Sequence, residues 1–298
     1  MKKIFSFIFL IAVCNQSFAQ ENNSKIHRIS FNDVTFQRGK CGGTTPYFSF
    51  NDFQLLNSSS ALLSNNYDGF SIHQSTYHSN NFATLSLGIH FGKKEKTSYR
   101  NNPVIRVGVS YYNYSTIYNW LSTETHYVYA NLTSNQSNLV VYVDSVYRKN
   151  LNMRYDFNQL CFNSSVLFRT SNQKRFSLYS GIGFSSGTSL NANSEINYNE
   201  GAYDEISFPP ESGYYTQQSY PRRSYVDDYE EFKNKNNFSY GVFVPIGVDF
   251  KMGKKNKILQ LIHLTFEMNG SVNRIIIPEL KTYHIKTLAG SFGLKFGN

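Results

Sequence analysis

The chain has 298 residues, a formal net charge of +9 and a mean hydropathy of −0.42. Hydrophobic residues make up only 40%, yet aromatic residues reach 16%, with 23 Tyr and 25 Phe, a mixture unlike the aliphatic core of a soluble domain. Beyond the first twenty residues no segment approaches the ~20 consecutive apolar residues of a spanning helix, which excludes a helical membrane protein.

The N-terminus reads MKKIFSFIFLIAVCNQSFAQ. Lys2 and Lys3 make a basic start, Ile4 to Val13 an apolar run, and Ser17-Phe18-Ala19 a small-residue exit. This is the pattern of a secretory signal peptide over residues 1–19, leaving 20–298 as the mature domain in an oxidising compartment. Val13 stands before Cys14 where a lipoprotein signal wants a small residue, which weighs against lipidation. Of the mature cysteines, Cys41 and Cys161 either pair or remain free thiols, and no metal-ligand spacing involves them.

From there the chain alternates with period two. The first strand is expected over 26–38, with 45–53 as a competitor. From Phe82 to Phe91, Ala83, Leu85, Leu87 and Ile89 share one face, and from Val104 to Tyr112, Ile105, Val107 and Val109 do so. Between Asn152 and Phe168 the apolar set begins on Met153, Tyr155 and Phe157, then moves to Leu160, Phe162, Val166 and Phe168. That change of phase predicts a β-bulge near Asn158. Phe176 to Ser185 follows, then Phe238 to Phe250, where every even residue is apolar. Ile262, Leu264, Phe266 and Met268 come next, and a last strand runs from Tyr283 to Phe296.

The gaps alternate in length. Residues 92–102, 169–175 and 251–257 are short, whereas 39–80, 113–150 and 188–236 are long. The three short gaps carry net charges of +3, +3 and +4. Without Lys2 and Lys3 the chain is at +7, so everything outside those gaps nets −3, which is no nucleic-acid footprint. Short basic turns at one end, long loops at the other and strands with one apolar face predict an all-β fold. It is an eight-stranded antiparallel up-and-down transmembrane β-barrel with long extracellular loops. The basic rim of Lys93, Lys94, Lys96, Lys174, Arg175, Lys254, Lys255 and Lys257 would face the periplasm and meet anionic headgroups. The aromatics then become interfacial girdles, Tyr111, Tyr112, Tyr114 and Tyr155 at the outer edge and Phe91, Phe168, Phe176, Phe250 and Phe296 at the inner.

The signal segment, the alternating staves and the final GSFGLKFGN with Phe292 and Phe296 resemble the small outer-membrane β-barrel proteins of Gram-negative bacteria. Members of that family usually end on an aromatic residue, and here Gly297 and Asn298 follow Phe296. The resemblance implies outer-membrane localisation, lipid and lipopolysaccharide as surroundings, and no cofactor.

An eight-stranded barrel is just wide enough for side chains to fill. Arg154, Asp156, Glu267, His284 and Lys286 are expected to form a salt-bridge network in the lumen, with Glu267 opposite Lys286, because charges within a membrane must be paired. Arg106, His90 and Asp249 would form a second cluster nearer the periplasm. Asp227, Asp228, Glu230 and Glu231 form an acidic run that reads either as a cation-binding loop of hard oxygen ligands or as a solvated face. Residues 53–63, FQLLNSSSALL, suggest a short amphipathic helix lying on the barrel mouth or on the membrane surface. No metal site is expected. The role expected is non-enzymatic: structure, adhesion or capture of an unidentified extracellular ligand through the loops. The alternatives are an outer-rim hydrolase, acting on protein or lipid and drawing on His284, Glu279 and Asp156, and a narrow pore.

Overall fold

Every long strand carries one aliphatic or aromatic face, and lone strands with such a face pair until no edge is left. In the computed structural model they close a ring. It describes residues 29–44, 47–75, 77–91, 103–133, 140–170, 174–207, 218–253, 256–280 and 282–297. In chain order the elements are β1 (Ile29–Thr44), α1 (Phe50–Leu56), β2 (Ser71–Ser75), β3 (Tyr77–Phe91), β4 (Val104–Thr133), β5 (Val140–Arg169), β6 (Phe176–Ser207), β7 (Gln218–Lys233), β8 (Phe238–Lys251), α2 (Lys257–Gln260), β9 (Ile262–Ile276) and β10 (Thr282–Gly297). β1, β3, β4, β5, β6, β8, β9 and β10 form the ring, each antiparallel to its neighbours, and β1 closes it on β10. β2 continues the β3 stave upward along β4, and β7 continues the β8 stave upward along β6.

A tilted crossing takes about 9–11 residues, whereas β4 and β5 have 30 each and β6 has 32, so roughly two-thirds of these strands stands clear of a bilayer. The segments expected as long loops are therefore mostly raised wall: 113–133 and 140–150 are strand, as are 188–207 and 218–233. The first strand covers the described part of 26–38 and runs on to Thr44, and the competing segment does not form a strand. Instead Ser49 caps α1, its hydroxyl accepting from the Asp52 amide at 3.2 Å while the Asp52 carboxylate accepts from the Ser49 amide at 2.8 Å.

The change of phase in β5 has a different cause from the one its sequence suggests. Odd residues of β5 face inward from Leu151 to Arg169. Above Asn158 the buried inward residues are Leu151, Met153, Tyr155 and Phe157; below it they are Gln159, Cys161, Ser165 and Arg169, with Leu167 the one aliphatic among them. The outward face does the reverse, with Arg154 and Asp156 above and Leu160, Phe162 and Phe168 below. The register shift does lie beside Asn158, but the extra residue is Leu190 of β6. The backbone of β5 does not slip; the solvent outside it changes from water to lipid.

The same inversion recurs on β10. Leu288, Phe292, Leu294 and Phe296 are exposed below, His284 and Lys286 share their face above, and Tyr283 and Ile285 are buried behind those two. Tyr111 lies on the outward face near the top of the belt, whereas Tyr112 turns into the lumen and Tyr155 into the upper core, so neither joins the expected outer girdle. Phe168, Phe176 and Phe296 form the lower girdle. Phe292→Arg is therefore expected to lower stability by about 2–4 kcal/mol, while His284→Arg on the same face changes it by less than about 0.5 kcal/mol. Unfolding of both variants in phospholipid vesicles measures the difference.

Candidate functional site

The lumen below the switch holds charge. The Arg106 guanidinium of β4 reaches across to Glu267 of β9 with two hydrogen bonds of 2.5 and 3.0 Å. Glu267 also accepts from the Tyr179 hydroxyl at 2.8 Å and the Asn269 amide at 2.9 Å. Lower down, Asp249 takes Lys295 and His263 as partners, the latter at 2.5 Å. Arg169 lies 3.8 Å from Asp249 and donates to Asp33 at 3.2 Å. Its guanidinium also stands 5.8 Å from the centre of the Tyr179 ring, which joins the two groups. Three carboxylates thus meet two arginines and a lysine, contributed with Tyr179 by seven of the eight staves. The eighth, β3, leaves room for them: a methyl group on Gly88 would sit 2.7 Å from the Asp33 carboxylate. Tyr179 needs similar room, since a methyl on Gly247 would meet its ring at 2.3 Å.

This network is not the one the alternation suggests. Glu267 lies in the lumen, but its partner is Arg106, not Lys286. Lys286 and His284 are exposed, because they share the even face of β10 with Leu288 and Phe292 and so point out of the barrel with them. Arg154 and Asp156 also face outward, paired with each other at 2.6 Å above the belt. Asp249 and Arg106 do point inward with His90, in two linked groups that also enlist Asp33, Lys295 and Arg169. Arg169 had read as a turn residue. Asp33 and Lys295 gave no signal of their own except that each breaks an apolar run at an inward position.

Above the charges lies a cavity of about 120 Å³ with a mixed lining: Ser110, Gln159, Asn163 and Asn273 stand among apolar Phe82, Ile117, Phe157 and Phe243, with the free thiols of Cys41 and Cys161. A plug of apolar residues closes it from above. Phe48 packs on Phe53, Tyr155 and Tyr283 with ring centres 4.8–5.7 Å apart, and Leu62, Leu63, Ile117, Leu151 and Ile196 complete the core. Burial pushes the Tyr155 phenol up to about 12, against the Asn237 amide that donates to it at 3.2 Å. The leucine-rich stretch thus forms a helix and a 3₁₀ turn, Leu62–Ser64, inside the mouth.

The acidic run helps to hold that plug. Glu230 accepts from the amides of Ala61 at 3.1 Å and Leu62 at 3.3 Å, and from the Ser60 hydroxyl. Asp227 accepts from Asn197 and Asn199 at 3.1 Å each, and Glu231 from Asn193 at 3.5 Å. On a strand, Asp227 and Glu231 fall on the face opposite Asp228 and Glu230, so the four carboxylates do not converge on a cation. Among the described residues no group of three or more His, Cys, Asp or Glu is placed to hold a metal.

An apolar belt around a charge-paired lumen makes sense only with lipid outside. The chain is an eight-stranded antiparallel β-barrel with an apolar outer belt, the form of a membrane-spanning barrel. Comparison with solved structures finds distant likenesses. Neisserial surface protein A (NspA) is 10% identical with a TM-score of 0.33, over 91% of this chain and 99% of that one. Ail, the attachment invasion locus protein of Yersinia pestis, solved with the heparin analogue sucrose octasulfate, is 10% identical with a TM-score of 0.23, over 89% and 99%. No protein-family model matches the sequence, and no curated protein matches it.

Of the basic rim, Lys174 and Arg175 are exposed at the lower turn, where Arg175 stands 4.7 Å from the centre of the Phe250 ring. Lys257 opens α2. Lys93, Lys94, Lys96, Lys254 and Lys255 lie outside the described residues, as does the 1–19 signal segment.

Removing one partner of the luminal pair strands a buried charge. Glu267→Gln is expected to cost about 3–5 kcal/mol, and Arg106→Met combined with Glu267→Leu to recover most of it. Thermal unfolding in detergent, followed by the loss of the compact form on gels, reads both.

Proposed function

We propose that this protein is a closed outer-membrane barrel that serves the cell surface as an adhesive or ligand-binding element and carries out no catalysis. The observation that supports this most directly is the double closure of the lumen, by paired charges below and by the Phe48–Phe53 plug above. A pore would need a continuous wet path lined by unpaired polar groups, and the charges here are spent on one another. The residues an outer-rim hydrolase would draw on lie apart. Glu279 is paired with Lys235 at 2.8 Å, His284 faces outward, and Asp156 is held by Arg154 and the Thr116 hydroxyl. What remains is the raised wall, which lifts an outward face well above the lipid.

In this reading the wall faces the medium, and residues 1–19 are the export signal. The belt lies among acyl chains of outer-membrane lipid and lipopolysaccharide. The rim around Lys174, Arg175 and Lys257 meets phospholipid headgroups on the periplasmic side. Two measurements test it. Reconstituted into a planar bilayer, the protein should give no steady conductance; a stable open level would overturn the closed-lumen reading. On intact cells, a membrane-impermeant maleimide should label Lys149→Cys and spare Lys174→Cys, and the reverse pattern would overturn the orientation.

A further inference from the structure

The outward face of the raised wall has a composition that folding does not require. Its inward side already carries the aliphatic core of Leu121, Leu151 and Ile196. Register places Trp120, Asn152, Asn197 and Tyr229 side by side across β4, β5, β6 and β7. The row above them is Ser122, Asn150, Asn199 and Asp227, and the row below is Tyr118, Arg154, Glu195 and Glu231. Asparagine is depleted in strands, yet four stand together here, and these three rows contain no aliphatic side chain.

The geometry is that of a trough. One side is an aromatic ledge. His73 stacks on Trp120 with ring centres 5.1 Å apart and planes 15° apart, and Tyr118 lies 5.4 Å from the same ring. The other side is Tyr229, 56% exposed. Trp120 and Tyr229 are three strand spacings apart, about 14 Å. Amides floor the space between. They are held upright by a ladder in which Tyr118 donates to Asn152 at 2.7 Å, Asn152 to Asn199 at 3.2 Å, and Asn199 to Asp227 at 3.1 Å. Each amide has two donor hydrogens and two acceptor lone pairs, so the ladder fixes their direction and leaves bonding capacity facing outward.

We propose that this face binds a neutral or basic polysaccharide, its sugar rings against Trp120 and Tyr229 and its hydroxyls on the amides of Asn152 and Asn197. A pyranose has an apolar C–H face and a rim of hydroxyls; aromatic rings match the first and oriented amides the second. Carboxylates outnumber cations around the trough, with Asp156, Glu195, Asp227 and Glu231 set against Arg154 and Lys233, which disfavours polyanions. A protein partner would need a dry apolar centre, and the centre here is a row of amides. The proposal rests on the surface-binding reading above, yet the two fail separately: a conducting barrel defeats that reading, whereas a closed barrel that ignores sugars defeats only this one.

Trp120 is the only tryptophan in the chain, so its emission reports on the site. The mature barrel, in a zwitterionic detergent without a sugar headgroup, is titrated with tetrasaccharides of glucose, mannose, N-acetylglucosamine and glucosamine, and with a sulfated oligosaccharide as control. At least one neutral or basic sugar should change the emission saturably. Asn152→Ala with Asn197→Ala should weaken that binding by about tenfold or more, and Tyr229→Ala should weaken it too, while each variant keeps the compact form on gels. The proposal is wrong if no neutral or basic sugar is bound, if only the sulfated one is bound, or if the asparagine variant binds as well as the parent.

Discussion

Each long stave of this barrel passes through two solvents, and that single fact arranges everything else. Where lipid lies outside, the outward side chains must be apolar and the inward ones are free to be polar. Where water lies outside, the strand behaves as in any soluble sheet, burying its apolar face inward. On β5 the exchange happens at Asn158 without any slip of its backbone, and β10 repeats it between Lys286 and Leu288. One continuous wall therefore has two interiors, a polar one at membrane depth and an aliphatic one above it.

The lower interior has to satisfy its charges within itself. Asp33, Asp249 and Glu267 are balanced by Arg106, Arg169 and Lys295, and the contacts run around the ring from stave to stave. Buried ion pairs are weak evidence of net stability, but removing one member is expensive, so such a network favours one arrangement of the staves over its alternatives. The upper interior is closed by ordinary packing. The connection after β1 folds back as α1 and a 3₁₀ turn, and Glu230 ties it to the wall. With the lumen committed to holding itself together, the face left for the binding role proposed above is the outside of the wall, where the aromatic and amide rows lie.

The alternation of apolar residues carried the architecture: eight staves and their order are legible in it. The height of the wall was not, because above the membrane the same strands swap the meaning of their two faces. Read with one rule throughout, β5 seemed to slip and the stretches around 113–150 and 188–236 looked like loops. The same single rule sent Lys286 and His284 inward, although they share parity with Leu288 and Phe292. Arg106 and Glu267 were visible as inward charges on separate strands, but their pairing depends on how strands opposite in the ring face each other, which period two does not encode. Glu230 looked like one acid in a run; that it holds the amides of Ala61 and Leu62 is a tertiary fact.

The depth at which the outer solvent changes is the central claim, and a spin-label scan of β5 tests it most directly. Single cysteines at the even positions from Asn150 to Phe168, in a background lacking the native thiols, would carry the label in reconstituted bilayers. Accessibility to oxygen and to a water-soluble nickel chelate is then compared at each site. The account predicts that labels at 150–156 meet the chelate, labels at 160–168 meet oxygen, and the crossover falls beside Asn158. A strand whose even positions all meet lipid, or all meet water, would contradict it.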